Sequence, residues 1–199
     1  MRRLVLLLAI GAALGAFVPA AVAEGPGRVE KGAIVGEPGG VITPQHNLGV
    51  DADANGDEII YYDNRSRYRG VVDNARNVWN ALDRRFDGRG VDFRSLSEAP
   101  AGARLELIFA DGACNAYAFY DPNGTPDRII FCVNNMESLN NLRKDETGAH
   151  EAGHAIGLAH PEPCRRFLGT SIMVGACGFS DSRKPLRHDV QDYRNRWVR

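Results

Sequence analysis

The sequence predicts a layered α+β domain. A strand-like segment comes first, a segment with helical spacing of apolar residues follows, and several strand-like segments then lead to two further helical segments. Elements in this order favour a fold in which helices pack against one sheet. The chain of 199 residues contains no internal repeat, and its length is that of one domain.

The predicted elements begin after a glycine-rich stretch in which turn signals dominate. Residues 58–63 (EIIYYD) are strand-like because β-branched and aromatic residues prevail. Apolar residues recur at helical spacing from Val71 to Leu82, which predicts a helix over 66–84. The same patterns predict further strands at 91–96, 104–111, 115–121 and 128–134, and helices at 142–158 and 186–198. The turn DPNGTPD, residues 121–127, separates the last two strands.

The chain opens with the features of a secretory signal peptide. Two arginines precede an apolar run, and the small-x-small sequence AVA follows at residues 21–23. The apolar run is too short to span a membrane. The predicted organisation is a signal peptide at 1–23, a flexible extension or short propeptide at 24–57, and the folded domain at 58–199.

Net charge and cysteine content limit which binding partners and which cellular compartment we expect. The formal net charge is −1, without the basic stripe of a nucleic-acid binder, so we expect no nucleic-acid partner. The signal peptide predicts a secreted protein without a membrane partner, and a monomer is the default expectation. An even number of cysteines in an exported chain favours two disulfides, for which three connectivities are possible. The preferred pairing is the sequence-local one, Cys114–Cys132 and Cys164–Cys177. A cysteine zinc site is disfavoured, because no pair has the usual spacing.

The most informative motif is AHEAGHAIGLAHPEPC, residues 149–164. His150 and His154 are four residues apart, so on a helix both imidazoles face the same point. Gly157 follows three residues later, where a residue that tolerates the left-handed conformation can end the helix. The chain can then return and bring His160 to the same point. The spacing therefore predicts three convergent imidazoles.

Three imidazoles would leave a tetrahedral zinc ion one open position, which is typical of a catalytic site. Glu151, next to the first histidine, is the predicted general base that takes a proton from zinc-bound water. The predicted metal ligands are His150, His154 and His160, and the predicted reaction is peptide hydrolysis with one Zn²⁺. The alternatives are an amphipathic helix with solvated histidines and a secreted zinc-binding module without hydrolytic activity.

Met173 lies thirteen residues after His160 in the segment GTSIMVG. A tight turn there could place the thioether beneath the metal. An ordinary buried methionine is the alternative.

Together these residues resemble the metzincin clan of zinc endopeptidases, and within it the snapalysin family, with some matrixin-like character. The similarity covers most of residues 58–199 and lies in the segments NVWNALDRR, TGAHEAGHAIGLAH and DVQDYRNRW. It implies a twisted, mostly parallel sheet, a long active-site helix, a methionine turn, a C-terminal helix, and protein or peptide substrates. It also implies that Cys164–Cys177 closes the loop around the methionine turn.

The sequence departs from the snapalysin pattern in three places. The third ligand there is typically aspartate, whereas this chain has His160. Arg143 and Asp145 stand where snapalysins hold calcium, which puts that calcium in question. Gly175 occupies the position at which some metzincins carry a tyrosine after the turn methionine.

A separate calcium hypothesis concerns DADANGDEIIYYD, residues 51–63. Asp51, Asp53 and Asn55 match the first half of an EF-hand loop, but Tyr62 replaces the bidentate glutamate of the twelfth position. Bound Ca²⁺ and a solvated turn both remain open. A carboxylate of Asp51 or Asp53 could also block the metal if this region is a propeptide.

The remaining histidines, His46 and His188, are expected to be solvent-exposed or to cap a helix. The predicted strand 115–121 is a candidate sheet edge with which an extended substrate could pair.

Overall fold

The structure is a computed structural model that describes residues 52–53 and 56–198. Its elements are β1 (Ile59–Asn64), α1 (Arg69–Arg85), β2 (Asp92–Ser95), β3 (Leu107–Gly112), β4 (Ala118–Asp121), β5 (Asp127–Cys132), α2 (Val133–Glu137), α3 (Asn141–Ala155) and α4 (Arg187–Trp197). The predictions for the signal peptide, most of the stretch 24–57, and His46 lie outside the described residues.

The five strands form one sheet in the order β2-β1-β3-β5-β4. All neighbouring strands are parallel except β4, which runs antiparallel to β5. The predicted turn at 121–127 joins these two strands, and Asp121 pairs with Arg128 beside it. The predicted α+β architecture with a mostly parallel sheet is therefore confirmed, and β4 lies at an edge as expected.

Helix α1 packs its apolar stripe against α3 and the sheet. Val72, Ala75 and Trp79 are fully buried, in accordance with their spacing of three and four residues. The Trp79 indole N–H donates to the carbonyl oxygen of Ala149 at 2.9 Å. This buried bond fixes the position of the histidine-bearing helix relative to the core.

The end of the strand predicted at 128–134 is helical in the structure. The strand predicted at 128–134 ends at Cys132, and Val133–Glu137 forms the short helix α2. Val133 and Met136 are three residues apart, and a helical turn buries Met136 completely. Local apolar content had suggested a longer strand, whereas the core requires the chain to turn at the end of the sheet.

His188 differs from its predicted environment. Its side chain is 7% exposed, not open to solvent. It lies 3.0 Å from the Asp192 carboxylate, one helical turn away, and its ring meets the ring of Phe167 edge-on at 4.3 Å. The sequence-based expectation of exposure was wrong because it considered α4 alone, whereas the loop that carries Phe167 covers this face.

The cysteines form the two sequence-local disulfides, Cys114–Cys132 and Cys164–Cys177. The second bridge spans the segment that contains the methionine turn. Within residues 52–53 and 56–198, no helix has the length and apolarity needed to cross a membrane.

Candidate metal centre

Helix α3 carries His150 and His154 on one face. The helix begins after Asn140, whose side-chain oxygen accepts the backbone N–H of Arg143 at 3.0 Å and thereby caps the first turn. The two histidines are one turn apart near the other end of the helix. Their side chains therefore lie side by side, with the ring centroids 4.7 Å apart.

Gly157 ends the helix as the motif predicted. Its φ of 82° lies in the left-handed region, where a residue with a Cβ atom is strained. The N–H of Gly157 donates to the backbone carbonyl oxygen of His154 at 2.8 Å, and the N–H of Leu158 donates to that of Gly153 at 3.0 Å. These two bonds define a Schellman motif. The helix thus closes at Ala155, three residues before the predicted end, and the chain turns back toward His160.

This turn brings the three histidines together. The Nε2 atom of His154 lies 3.1 Å from that of His150 and 2.9 Å from that of His160, and the remaining pair is 3.0 Å apart. Among the described residues, these three form the only group of His, Cys, Asp or Glu side chains that could hold a metal ion.

Backbone carbonyls determine the tautomers of two of these rings. The Nδ1 atom of His150 lies 2.7 Å from the carbonyl oxygen of Ile172, and that of His154 lies 2.7 Å from the carbonyl oxygen of Leu158. A carbonyl oxygen only accepts hydrogen bonds, so each Nδ1 carries the proton. Each Nε2 atom therefore directs a lone pair toward the centre of the group, as a metal ligand does.

Burial keeps His154 in the form that a metal requires. Desolvation, followed by the proximity of His160 and His150, lowers the pKa of His154 well below its usual range. A neutral imidazole retains a lone pair for a metal, whereas a protonated one does not.

The geometry fits a small divalent ion that binds nitrogen. A tetrahedral zinc with Zn–N distances of about 2.0–2.1 Å separates its nitrogen ligands by about 3.3 Å, close to the 2.9–3.1 Å between these Nε2 atoms. Three imidazoles are also a ligand set that zinc commonly takes at catalytic sites.

The methionine turn packs against the same helix. Met173 is buried, and a Cβ atom added at Gly153 would lie 2.5 Å from the Met173 Sδ atom. The thioether therefore lies directly on the helix backbone beside His154. Glycine is needed at 153 to admit this packing, and the position of the thioether beneath a metal stays a prediction.

Asp189 anchors this turn to α4, a role that the sequence analysis missed. Its carboxylate accepts the N–H of Ile172 at 2.9 Å, the N–H of Leu186 at 2.7 Å and the hydroxyl of Ser171 at 2.5 Å. Burial raises the pKa of this carboxyl to about 6, although the three hydrogen bonds act in the opposite direction. An aspartate at the third position of a helix signals capping, but sequence alone does not show that the same carboxylate reaches a distant turn.

Glu146 is a second anchor that the sequence did not reveal. This carboxylate, one turn before His150, is buried and accepts the backbone N–H groups of Ser180 and Ser182 at 2.5 and 3.3 Å. Burial raises its pKa, and these hydrogen bonds oppose the shift. Helix α3 therefore holds the chain both within the loop that the Cys164–Cys177 bridge closes, at Ile172, and just after that loop, at Ser180.

Glu151, the predicted general base, is buried next to His150. Its contact with a metal-bound water stays a prediction.

The predicted calcium positions have other partners. Both Asp53 oxygens accept backbone N–H groups, from Gly56 and Glu58, at 2.9 Å each, which favours the turn over an EF-hand. Asp53 also lies outside the three-histidine group, so it does not block that site. Arg143 pairs with Asp181 at 3.4 Å, and Asp145 pairs with Arg183 at 3.2 Å.

No protein-family model matches this chain, and no curated protein matches it. Among solved structures, the chain is similar to one titled "Crystal structure of myroilysin", with a TM-score of 0.44 and 10% identity over 71% of this chain and 84% of that chain. A likeness of this degree assigns no function. What the chain's own residues establish is an α+β domain with a three-histidine group able to hold a metal ion.

Proposed function

We propose that this protein is a secreted zinc-dependent endopeptidase of the metzincin kind. The observation that carries the proposal is the convergence of three Nε2 atoms within 2.9–3.1 Å of one another, with a glutamate next to the first histidine. A closed structural zinc site has four protein ligands, whereas three converge here within the described part of the chain.

In the proposed mechanism, His150, His154 and His160 hold the ion. When bound, zinc lowers the pKa of its water to about 7 and polarises a carbonyl oxygen. Glu151 accepts the proton of the attacking water and returns it to the leaving amine, so the same carboxyl acts first as base and then as acid. The hydrogen bonds that the Nδ1 atoms of His150 and His154 donate to the carbonyl oxygens of Ile172 and Leu158 hold two imidazoles in the metal-binding tautomer.

We propose that an extended peptide binds along β4. Among the residues that the structure describes, this strand forms hydrogen bonds with β5 on one side only and is an edge of the sheet. A peptide in extended conformation could add as a further strand, and its backbone would supply the hydrogen bonds irrespective of side chains. The substrates would then be proteins or peptides with locally unfolded segments.

Secretion and a monomeric state complete the proposal. Two disulfides are typical of an oxidising compartment, and both are present in this fold.

The proposal is tested by hydrolysis of casein with the purified protein, with and without a zinc chelator. We expect cleavage that the chelator abolishes and that Glu151→Gln reduces by at least about a thousandfold while zinc remains bound. Glu162→Gln, an exposed glutamate near the third histidine, is the matched control and should cleave normally. A folded, zinc-loaded protein that cleaves nothing would favour the binding-module alternative.

A further inference from the structure

The C-terminal end of α3 is capped by residues from both ends of the described chain. The Schellman motif provides partners for the carbonyls of Gly153 and His154 but not for the next two, those of Ala155 and Ile156. Carbonyls at a helix end require partners from outside the helix. Here the backbone N–H of Ala52 donates to the carbonyl oxygen of Ala155 at 2.7 Å. The indole N–H of Trp197 donates to the carbonyl oxygen of Ile156 at 3.0 Å.

Both capping groups are held firmly. Ala52 is only 2% exposed, and the following Asp53 folds back onto the N–H groups of Gly56 and Glu58, which joins the segment to the start of β1. Trp197 is the last residue of α4. Two segments far apart in sequence therefore meet at one helix end.

This helix end lies between two of the proposed ligands. His154 precedes it and His160 follows it, and the carbonyl oxygen of Leu158 within the turn accepts the Nδ1 proton of His154 at 2.7 Å. A shift of the turn would therefore move both imidazoles. Loss of a group that orients a histidine ligand commonly changes metal affinity by about 10–100-fold.

We propose that Ala52 and Trp197 form a split cap that positions the turn between His154 and His160. The segment that begins at Ala52 is consequently part of the metal-binding unit, and any maturation cut lies N-terminal to Ala52. The stretch 24–57 would then contain a removable part and a retained part. This inference depends on the proposed metal site but not on hydrolysis.

The test measures zinc affinity by competition with a chromophoric chelator, in the otherwise full-length protein. Ala52→Pro removes the donor N–H, whereas Ala52→Gly keeps it and serves as the matched control. We expect Ala52→Pro to weaken zinc binding by about tenfold and Ala52→Gly by less than about threefold. Trp197→Phe, which keeps an aromatic ring without the donor, should also weaken binding by about tenfold.

A second control separates positioning from general loss of stability. Ile129→Val lowers stability within the buried core of β5, away from the cap, and should leave zinc affinity unchanged. Normal zinc affinity in folded Ala52→Pro and Trp197→Phe would overturn the proposal. If Ala52→Pro does not fold, Trp197→Phe decides the outcome.

The N-terminus of the processed protein gives an independent test. Intact-mass measurement of zinc-binding protein from a producing culture should show a first residue at or before 52. A zinc-binding mature chain that starts after Ala52 would contradict the split cap, and neither result depends on whether the protein is a protease.

Discussion

The Nδ1 atom of His150 donates to the carbonyl oxygen of Ile172 at 2.7 Å. The N–H of the same residue, Ile172, donates to the Asp189 carboxylate at 2.9 Å. A proposed metal ligand on α3 is thereby connected through one backbone residue to the first turn of α4. Met173, the next residue, packs its thioether against α3 beside His154. The turn that contains Ile172 and Met173 therefore orients the His150 imidazole and supports the helix next to His154.

Removal of the metal should lower thermal stability. A ligand present at about a thousand times its Kd stabilises the native state by about 4 kcal/mol, which corresponds to about 10 °C in Tm for a domain of this size. Differential scanning fluorimetry with and without a chelator measures the shift. His154→Gln should abolish this chelator effect, whereas His188→Gln should retain it, because His188 lies outside the three-histidine group.

Gly153→Ala should displace the methionine turn. The added Cβ would lie 2.5 Å from Met173 Sδ and 3.0 Å from a ring carbon of Trp79, an overpacking that costs about 1–3 kcal/mol. Gly70→Ala is the matched control: it lies in α1, and an added Cβ meets nothing within 4 Å. We expect urea denaturation to show a loss of unfolding free energy of this size for Gly153→Ala and no loss for Gly70→Ala. Equal stabilities would rule out the tight packing of Met173.

Gly157→Ala should damage the turn between the second and third histidines. Its φ is 82°, and its added Cβ would collide with the Arg196 guanidinium. Gly169→Ala shares the backbone strain, with a φ of 75°, but meets nothing within 4 Å. Strain alone costs about 1–2 kcal/mol at both positions, and the half-buried Arg196 guanidinium can move aside, so the two variants should lose similar stability. Only Gly157→Ala should weaken zinc binding, which chelator competition measures.

Asp189 should make stability depend on pH in a direction opposite to that of a carboxylate whose pKa is lowered on folding. Its folded-state pKa of about 6 exceeds the unfolded value of about 3.9, so the native state holds the proton more strongly. The stabilisation is complete below about pH 4 and is lost as pH rises through about 6. The shift of about two pKa units corresponds to about 3 kcal/mol.

Asp189→Asn isolates this contribution. The amide can accept both backbone N–H groups through its oxygen and donate to Ser171 through its nitrogen, while the buried charge disappears. Relative to Asp189→Asn, the wild type should lose up to about 3 kcal/mol of unfolding free energy between pH 4 and pH 7 in urea titrations. If the unfolding free energies of the two proteins changed with pH in parallel, the raised pKa of the buried Asp189 carboxyl would be contradicted.

Local spacing predicted the parts of the candidate site that depend on backbone geometry. His150 and His154 share a face because a helix repeats every 3.6 residues, and Gly157 ends the helix because it tolerates a positive φ. Both properties depend only on a few neighbouring residues, so they can be predicted from the local sequence pattern. The same logic predicted the hairpin turn at 121–127 and the helical stripe of α1.

Contacts between distant segments could not be read in this way. Asp189 reaches Ile172, Glu146 reaches Ser180, and Ala52 reaches Ala155 only because the fold places separate elements side by side. Burial of His188 beneath Phe167 has the same origin. No periodicity within one segment specifies which other segment will cover it.

Residue spacing and residue type were enough to predict the α+β class, the local disulfides and the three-histidine motif, because they encode secondary structure and potential ligands. Three features depend on the packing of distant segments: how closely the imidazoles approach, which carbonyls set their tautomers and which groups cap the helix that carries them. Distances between groups far apart in sequence follow from packing of the whole core, and it is this packing that turns three histidines into a group able to hold a metal ion.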